Sequence, residues 1–248
     1  GCLPWTLRNC EQMERCVFVS ANGGWNLLIG TFPEGRGAWV PLENERVPVE
    51  CREVFQEAAK DACFGAAGKR RVLAAPAPWL ALVPAKLRVT FDHTASAAEH
   101  LGAAGALPEA AKWGLGALEI LWQRLEYLLA VLGVVALGER EKRSLRSWRP
   151  ASFVLLAALG LGFFAPTAYL SLVGLVVYGL VRARRLSAPL LLALFSIGAT
   201  AAIHAVFFGA GRYSMPLLLL VTPAAALGVA VLSGGFREAD GSPSPENF

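Results

Sequence analysis

From Ala151 to Val181 the chain runs for 31 residues without an acidic or basic side chain, between Arg149 and Arg182. A helix needs about 20 mostly apolar residues to cross a hydrocarbon core. Two further uncharged runs, Leu186–Gly211 and Tyr213–Phe236, also reach that length. With 55% hydrophobic residues and a mean hydropathy of +0.47, the 248-residue chain is too apolar for an ordinary soluble protein. A multi-pass membrane protein is the class these runs impose.

The charges between the runs predict a topology. The loop 138–150 carries Arg140, Lys142, Arg143, Arg146 and Arg149, and the next loop carries Arg182, Arg184 and Arg185. Both belong on the cytoplasmic side by the positive-inside rule. Two cytoplasmic loops cannot be joined by one crossing, so the 31-residue run is expected to pass twice, or to dip in and return, turning at Pro166 and Thr167. With a further span over 117–137, the expected helices are 117–137, 151–165, 167–181, 187–208 and 214–235. Residues 1–116 then fall outside the cytoplasm, and the polar tail 237–248 falls inside, disordered. The net charge of +4 comes from the membrane half and reads as a topology signal, which excludes nucleic acid as a partner.

The external segment is expected to mix α and β structure. Asn22-Gly23-Gly24 sits between the apolar stretches CVFVS and WNLLIG, as in a hairpin between two short strands. Cys51, Val54, Phe55, Ala58, Ala59, Ala62 and Cys63 recur at helical spacing, predicting an amphipathic helix from about residue 50 to 64 that Gly65 and Gly68 end. On such a helix Cys51 and Cys63 lie roughly 18 Å apart and cannot bond each other. Cys10 and Cys16 are then the better partners, for each other or for one of that pair. Five cysteines within the first 63 residues fit an oxidising compartment. None has metal-ligand spacing, and neither a metal nor a cofactor is expected. Lys69, Arg70 and Arg71 lead into a stretch where Trp79, Leu82, Val83, Lys86 and Leu87 share a stripe, read as a helix lying on the membrane surface.

Three pieces in order carry a resemblance: PWTLRN at the start, SANGGWNLLIGTFPEGRG after it, and RYSMPLLLL before the last span. Together they resemble the GT-C membrane glycosyltransferases related to family 39, which include protein O-mannosyltransferases and aminoarabinose transferases. The resemblance covers residues 4–40, 76–90 and 204–232. It departs from the family pattern at Ala21, Thr31-Phe32 and Ser214-Met215. It implies a cell-envelope enzyme of the inner membrane that moves a sugar from a polyprenyl-phosphate donor to a glycan, lipid or protein acceptor outside the cytoplasm. The family's catalytic aspartate lies in an early external loop, before the Pro-Trp-Thr turn, and no such loop is among these residues. The chain opens at Gly1 with no signal peptide in view, so the resemblance implies the carboxy-terminal portion of such an enzyme.

Arg8, Lys86, Arg212 and Tyr213 are the residues expected at the donor's phosphate, and Asn9, Asn22, Gly23 and Gly24 the loop lining it. Each has a plainer reading beside the functional one. Arg8 either forks onto a phosphate or caps a helix end. Lys86 either binds the headgroup or snorkels. Arg212-Tyr213 is either a donor-site wall or an interfacial anchor. Glu119, Gln123 and Glu126 share a face of the first span, functional inside the membrane or merely solvated above it. His93, His100 and His204 show no catalytic spacing, and Asp92-His93 reads as a solvated pair. The alternative function is a non-catalytic membrane module that binds lipid-linked sugar or a partner enzyme.

Overall fold

The structure is a computed structural model that describes residues 2–13, 15–91, 105, 107–139, 172–174, 176–177, 181 and 186–233. Eight of its helices concern the argument: α1 (Leu3–Gln12), α2 (Gly23–Ile29), α3 (Glu57–Ala74), α4 (Pro76–Ala81), α5 (Val83–Phe91), α6 (Glu109–Glu139), α7 (Ala188–Val206) and α8 (Met215–Leu232). Short 3-10 helices lie at Pro33–Gly35, Asn44–Arg46, Val49–Cys51 and Gly211–Tyr213. The chain divides into two compact units, Gly1–Thr90 with Ala201–Ala210, and Phe91–Thr200 with Gly211–Phe248.

Among the described residues two helices, not five, are long and apolar enough to span a membrane: α7 and α8. They match the expected spans 187–208 and 214–235 to within a few residues. The expected span 117–137 lies inside the longer α6. Segment 151–165 and most of 167–181 lie outside the described residues, as do His93, His100 and the tail 237–248.

The expected hairpin is not formed. Residues 23–29 are helical, and among the described residues there is no strand, only an isolated parallel bridge between Ala38 and Gly209. The Asn-Gly signal is overridden by packing. A Cβ on Gly24 would lie 1.9 Å from the Asp61 carbonyl oxygen, so the glycine lets α2 cross α3 at backbone contact. The Asp61 carboxylate then accepts the Trp25 N–H at 2.8 Å, and Trp25 meets Phe64 edge-on at 5.0 Å. Leu28, Ile29, Phe32, Val40, Phe64 and Phe208 fill the core beneath this crossing.

The expected helix over 50–64 is also corrected. The chain makes one 3-10 turn at Val49–Cys51, breaks, and starts α3 only after Gln56, whose side-chain oxygen accepts the Ala59 N–H at 2.6 Å. Phe55, expected on the buried stripe, is 80% exposed. Because the helix begins later, Cys51 folds back over it and bonds Cys63, with Cα atoms 5.8 Å apart. Cys10 and Cys16 form the other disulfide. Gly65 and Gly68 lie inside α3 rather than ending it, since they face α2. Termination falls to Ala75, which precedes Pro76. The proline ring disfavours the helical region for the residue before it, and Ala75 adopts φ −143°, ψ 67°. The helix path bends there by 101° into α4–α5.

In the second unit α6 and α8 pack along small residues. Ala224 and Gly228, four apart on α8, meet Gly133 and Leu129 of α6. A Cβ on Gly228 would stand 2.1 Å from the Leu129 carbonyl oxygen, and one on Gly133 2.2 Å from that of Ala224. Close backbone approach of this kind is how helices associate in lipid, where no hydrophobic force drives them together. Gly228→Val is expected to push the helices apart at a cost of about 1–3 kcal/mol, read as earlier thermal unfolding in detergent. An unchanged transition would show that the two helices do not meet there.

Candidate functional site

Helix α1 shows why its motif has these residue types. Pro4 starts it, and the polar groups of Trp5, Thr6 and Asn9 are spent on the loop that follows. Trp5 Nε1 donates to the Val19 carbonyl at 2.7 Å, the Thr6 hydroxyl to that of Phe18 at 2.6 Å, and buried Asn9 Nδ2 to those of Val17 and Val19, each at 3.1 Å. The Cys10–Cys16 bond closes the same loop. Asn9 is thus a loop clamp. Arg8 is the residue left facing outward: it is exposed, stacks on Trp5 at 5.0 Å, and among the described residues makes only a long 3.5 Å contact to Asn9 Oδ1. Around it Leu3, Trp5, Leu7, Phe18 and Val19 are exposed, an apolar patch with a cation set into it.

Asn22, Gly23 and Gly24 form the start of α2 and make its contact with α3. Gly24 is committed to that contact, and the Asn22 side chain makes no capping bond.

Lys86 is 0% exposed. Its ammonium donates to the carbonyls of Ala205 and Val206, each at 3.2 Å, and lies 4.9 Å from the centre of the Trp79 ring. It caps the last carbonyls of α7, which have no partner within the helix. The neighbouring backbone is locked around it. Gly209 N–H donates to Gly37 O at 2.7 Å, and a Cβ on Gly209 would strike Lys86 O at 2.1 Å. Gly37 itself holds φ +86°, a left-handed conformation open to glycine at little cost. Burial pushes the Lys86 ammonium from 10.5 down to about 8, because two carbonyls and a ring do not fully replace its hydration.

Arg212 and Tyr213 belong to the second unit, on the 3-10 turn before α8. Arg212 Nη2 donates to the Tyr213 hydroxyl at 3.2 Å, with the guanidinium 5.0 Å from the ring centre. Below them Gln123 Nε2 donates to Ser214 Oγ at 3.1 Å and Tyr127 OH at 2.9 Å, and Thr222 Oγ1 donates to Glu126 at 2.7 Å. Gln123 and Glu126 do share a face, as their spacing implied, and that face is turned to α8 and satisfied there. His204 Nδ1 lies 2.6 Å from the Phe208 carbonyl oxygen.

One concavity was missed by the sequence reading. A cleft of about 710 Å³ is lined by Phe32, Glu34, Glu43, Glu45, Arg46 and Arg71. A smaller lobe of about 220 Å³ adds Arg70 and Glu50, which pair with each other. Lys69, Arg70 and Arg71 looked like a membrane-facing run, yet Arg71 Nε donates to the buried Thr31 hydroxyl at 2.9 Å. The available signal was the density of charge in the turn-rich stretch 34–46. Among the described residues no cluster of histidine, cysteine, aspartate or glutamate is placed to hold a metal ion.

Comparison with protein-family models, curated proteins and solved structures returns no match for this chain.

Proposed function

We propose that this chain is part of a membrane glycosyltransferase of the GT-C type, in which α1 meets the phosphate of a polyprenyl-phosphate sugar donor at the extracytoplasmic surface of the inner membrane. The observation that carries the reading is the α1 face, where an outward guanidinium is set among exposed apolar side chains. A guanidinium at such a boundary gains a charge-assisted bond to a lipid phosphate while its stem and neighbours enter the acyl region. The order of the three motifs supports the same reading, as do two apolar helices long enough to span a membrane. Two disulfides in the first unit fit an oxidising, extracytoplasmic setting. In this scheme Lys86 positions α5 against the end of α7, and Arg212 with Tyr213 adds an interfacial contact.

A non-catalytic module that binds lipid-linked sugar is the second reading. It is favoured by the engagement of Lys86, an expected phosphate ligand whose ammonium already serves two carbonyls.

Binding of a short-chain polyprenyl phosphate to the full chain in detergent tests the lipid contact shared by both. Arg8→Ala is expected to weaken it about tenfold with little change in thermal stability, since among the described residues exposed Arg8 meets only the Trp5 ring and, at 3.5 Å, Asn9. Equal affinity in the folded variant would overturn the assignment of Arg8. Sugar transfer by a longer form of the chain that carries the family's early acidic loop, lost when that loop's aspartate is replaced, favours the enzyme, and its absence favours the module.

A further inference from the structure

The mixed-charge cleft in the first unit takes no part in the lipid-phosphate reading. Its two lobes share Phe32, Glu45, Arg46 and Arg71, so these side chains form the wall where the lobes meet. Arg71 is fixed from behind: Nε is bonded to Thr31, and the guanidinium stacks on Phe32 at 4.6 Å. Its terminal nitrogens have no protein partner among the described residues. A guanidinium held this way is a preorganised fork for an oxyanion.

The same wall carries the opposite charge. The carboxylates of Glu43 and Glu45 have no partner among the described residues, and Glu34 meets only Arg46, at 3.6 Å. Three carboxylates against two guanidinium groups leave one net negative charge, which disfavours a simple anion. A neutral sugar would seek an exposed aromatic face. Phe32 is 7% exposed and already lies beneath Arg71. A ligand that brings an ammonium together with an oxyanion satisfies both signs, and two guanidinium groups suit a phosphate better than a carboxylate.

We propose that this cleft binds a phosphorylated primary amine, its phosphate on Arg71 and its ammonium at Glu43 and Glu45. Soluble phosphoethanolamine and the headgroup of an ethanolamine phospholipid share this chemistry.

Calorimetric titration of the full chain in a sugar-based detergent tests it with three matched probes: O-phosphoethanolamine, inorganic phosphate and ethanolamine. O-Phosphoethanolamine is expected to bind at least about tenfold tighter than either single-charge probe. Glu45→Gln is expected to weaken it about tenfold, at an exposed position where no protein contact is lost. Arg71→Gln should abolish binding and is read beside its unfolding curve, because it also loses Thr31 and Phe32. Competition by phosphatidylethanolamine vesicles, but not phosphatidylcholine vesicles, assigns the site to a lipid headgroup, and no competition by either assigns it to the soluble amine. Phosphate binding as tightly as O-phosphoethanolamine, unchanged affinity in Glu45→Gln, or no binding of any probe overturns the proposal.

Discussion

Replacing Cys51 and Cys63 together by alanine is expected to lower the stability of the first unit by about 3 kcal/mol. The bond closes a loop across a sequence separation of 12, and the chain entropy removed from the unfolded state by a loop of that size gives roughly this figure. Cys51 is fully buried in the core beside Phe64, so a further loss from packing adds to it. Peptide mapping without reductant should recover Cys10–Cys16 and Cys51–Cys63 pairs, and reductant should lower the unfolding temperature of the wild type by more than that of the double variant, which keeps the Cys10–Cys16 bond. Free Cys51 and Cys63 thiols in the oxidised protein would contradict the late start of α3.

Lys86→Met is expected to act through two opposed effects that pH separates. Removing the ammonium leaves the Ala205 and Val206 carbonyls without a donor, at a cost of about 1–3 kcal/mol. It also removes the desolvation of a buried charge. In the wild type the folded-state value of about 8 lies below 10.5, so between those values the unfolded chain binds more protons than the folded one. Stability must therefore rise as pH increases from about 8 towards 10.5, by up to about 3 kcal/mol, and stay flat below about 8 as far as this group is concerned. A neutral amine still offers two N–H donors for the two carbonyls, so the rise loses no bond. The variant should lack this slope. A wild type whose stability falls across that window, or a variant that keeps the rise, would remove Lys86 from its buried place.

What the sequence revealed depended on how local the cause was. The spans at α7 and α8 follow from uncharged runs, and their ends were legible to within a few residues. The face shared by Gln123 and Glu126 came from helical spacing alone, though its target, α8, did not. The hairpin at Asn22-Gly23 was a sound local signal defeated by a distant one, because Gly24 is needed against Asp61 on α3. The helix over 50–64 failed for a related reason. Of its stripe Ala58 is buried and Cys63 packs against the core, but Ala62 is exposed, and Cys51 reaches the same core by folding back. Arg8, Asn9 and Lys86 stand out in the sequence by residue type and place, while the carbonyls that engage Asn9 and Lys86 carry no side-chain signature. Nothing local could have placed Arg71 beside Glu45, since Phe32 and Thr31 bring them together across the α2–α3 crossing.

The first unit is not one continuous stretch: residues 201–210 complete it. A ribosome that has finished Thr90 has still to make about 120 residues before the chain can supply Ala205, Val206 and Gly209. At about 5–20 residues per second that is roughly 6–24 s of synthesis. Throughout that interval Lys86 has no carbonyls to hold, and the Gly37 carbonyl lacks the Gly209 N–H. The nascent first unit must therefore wait, half assembled, on the arrival of a much later segment. Chaperone dependence and premature degradation of truncated products should concentrate between residues 91 and 210.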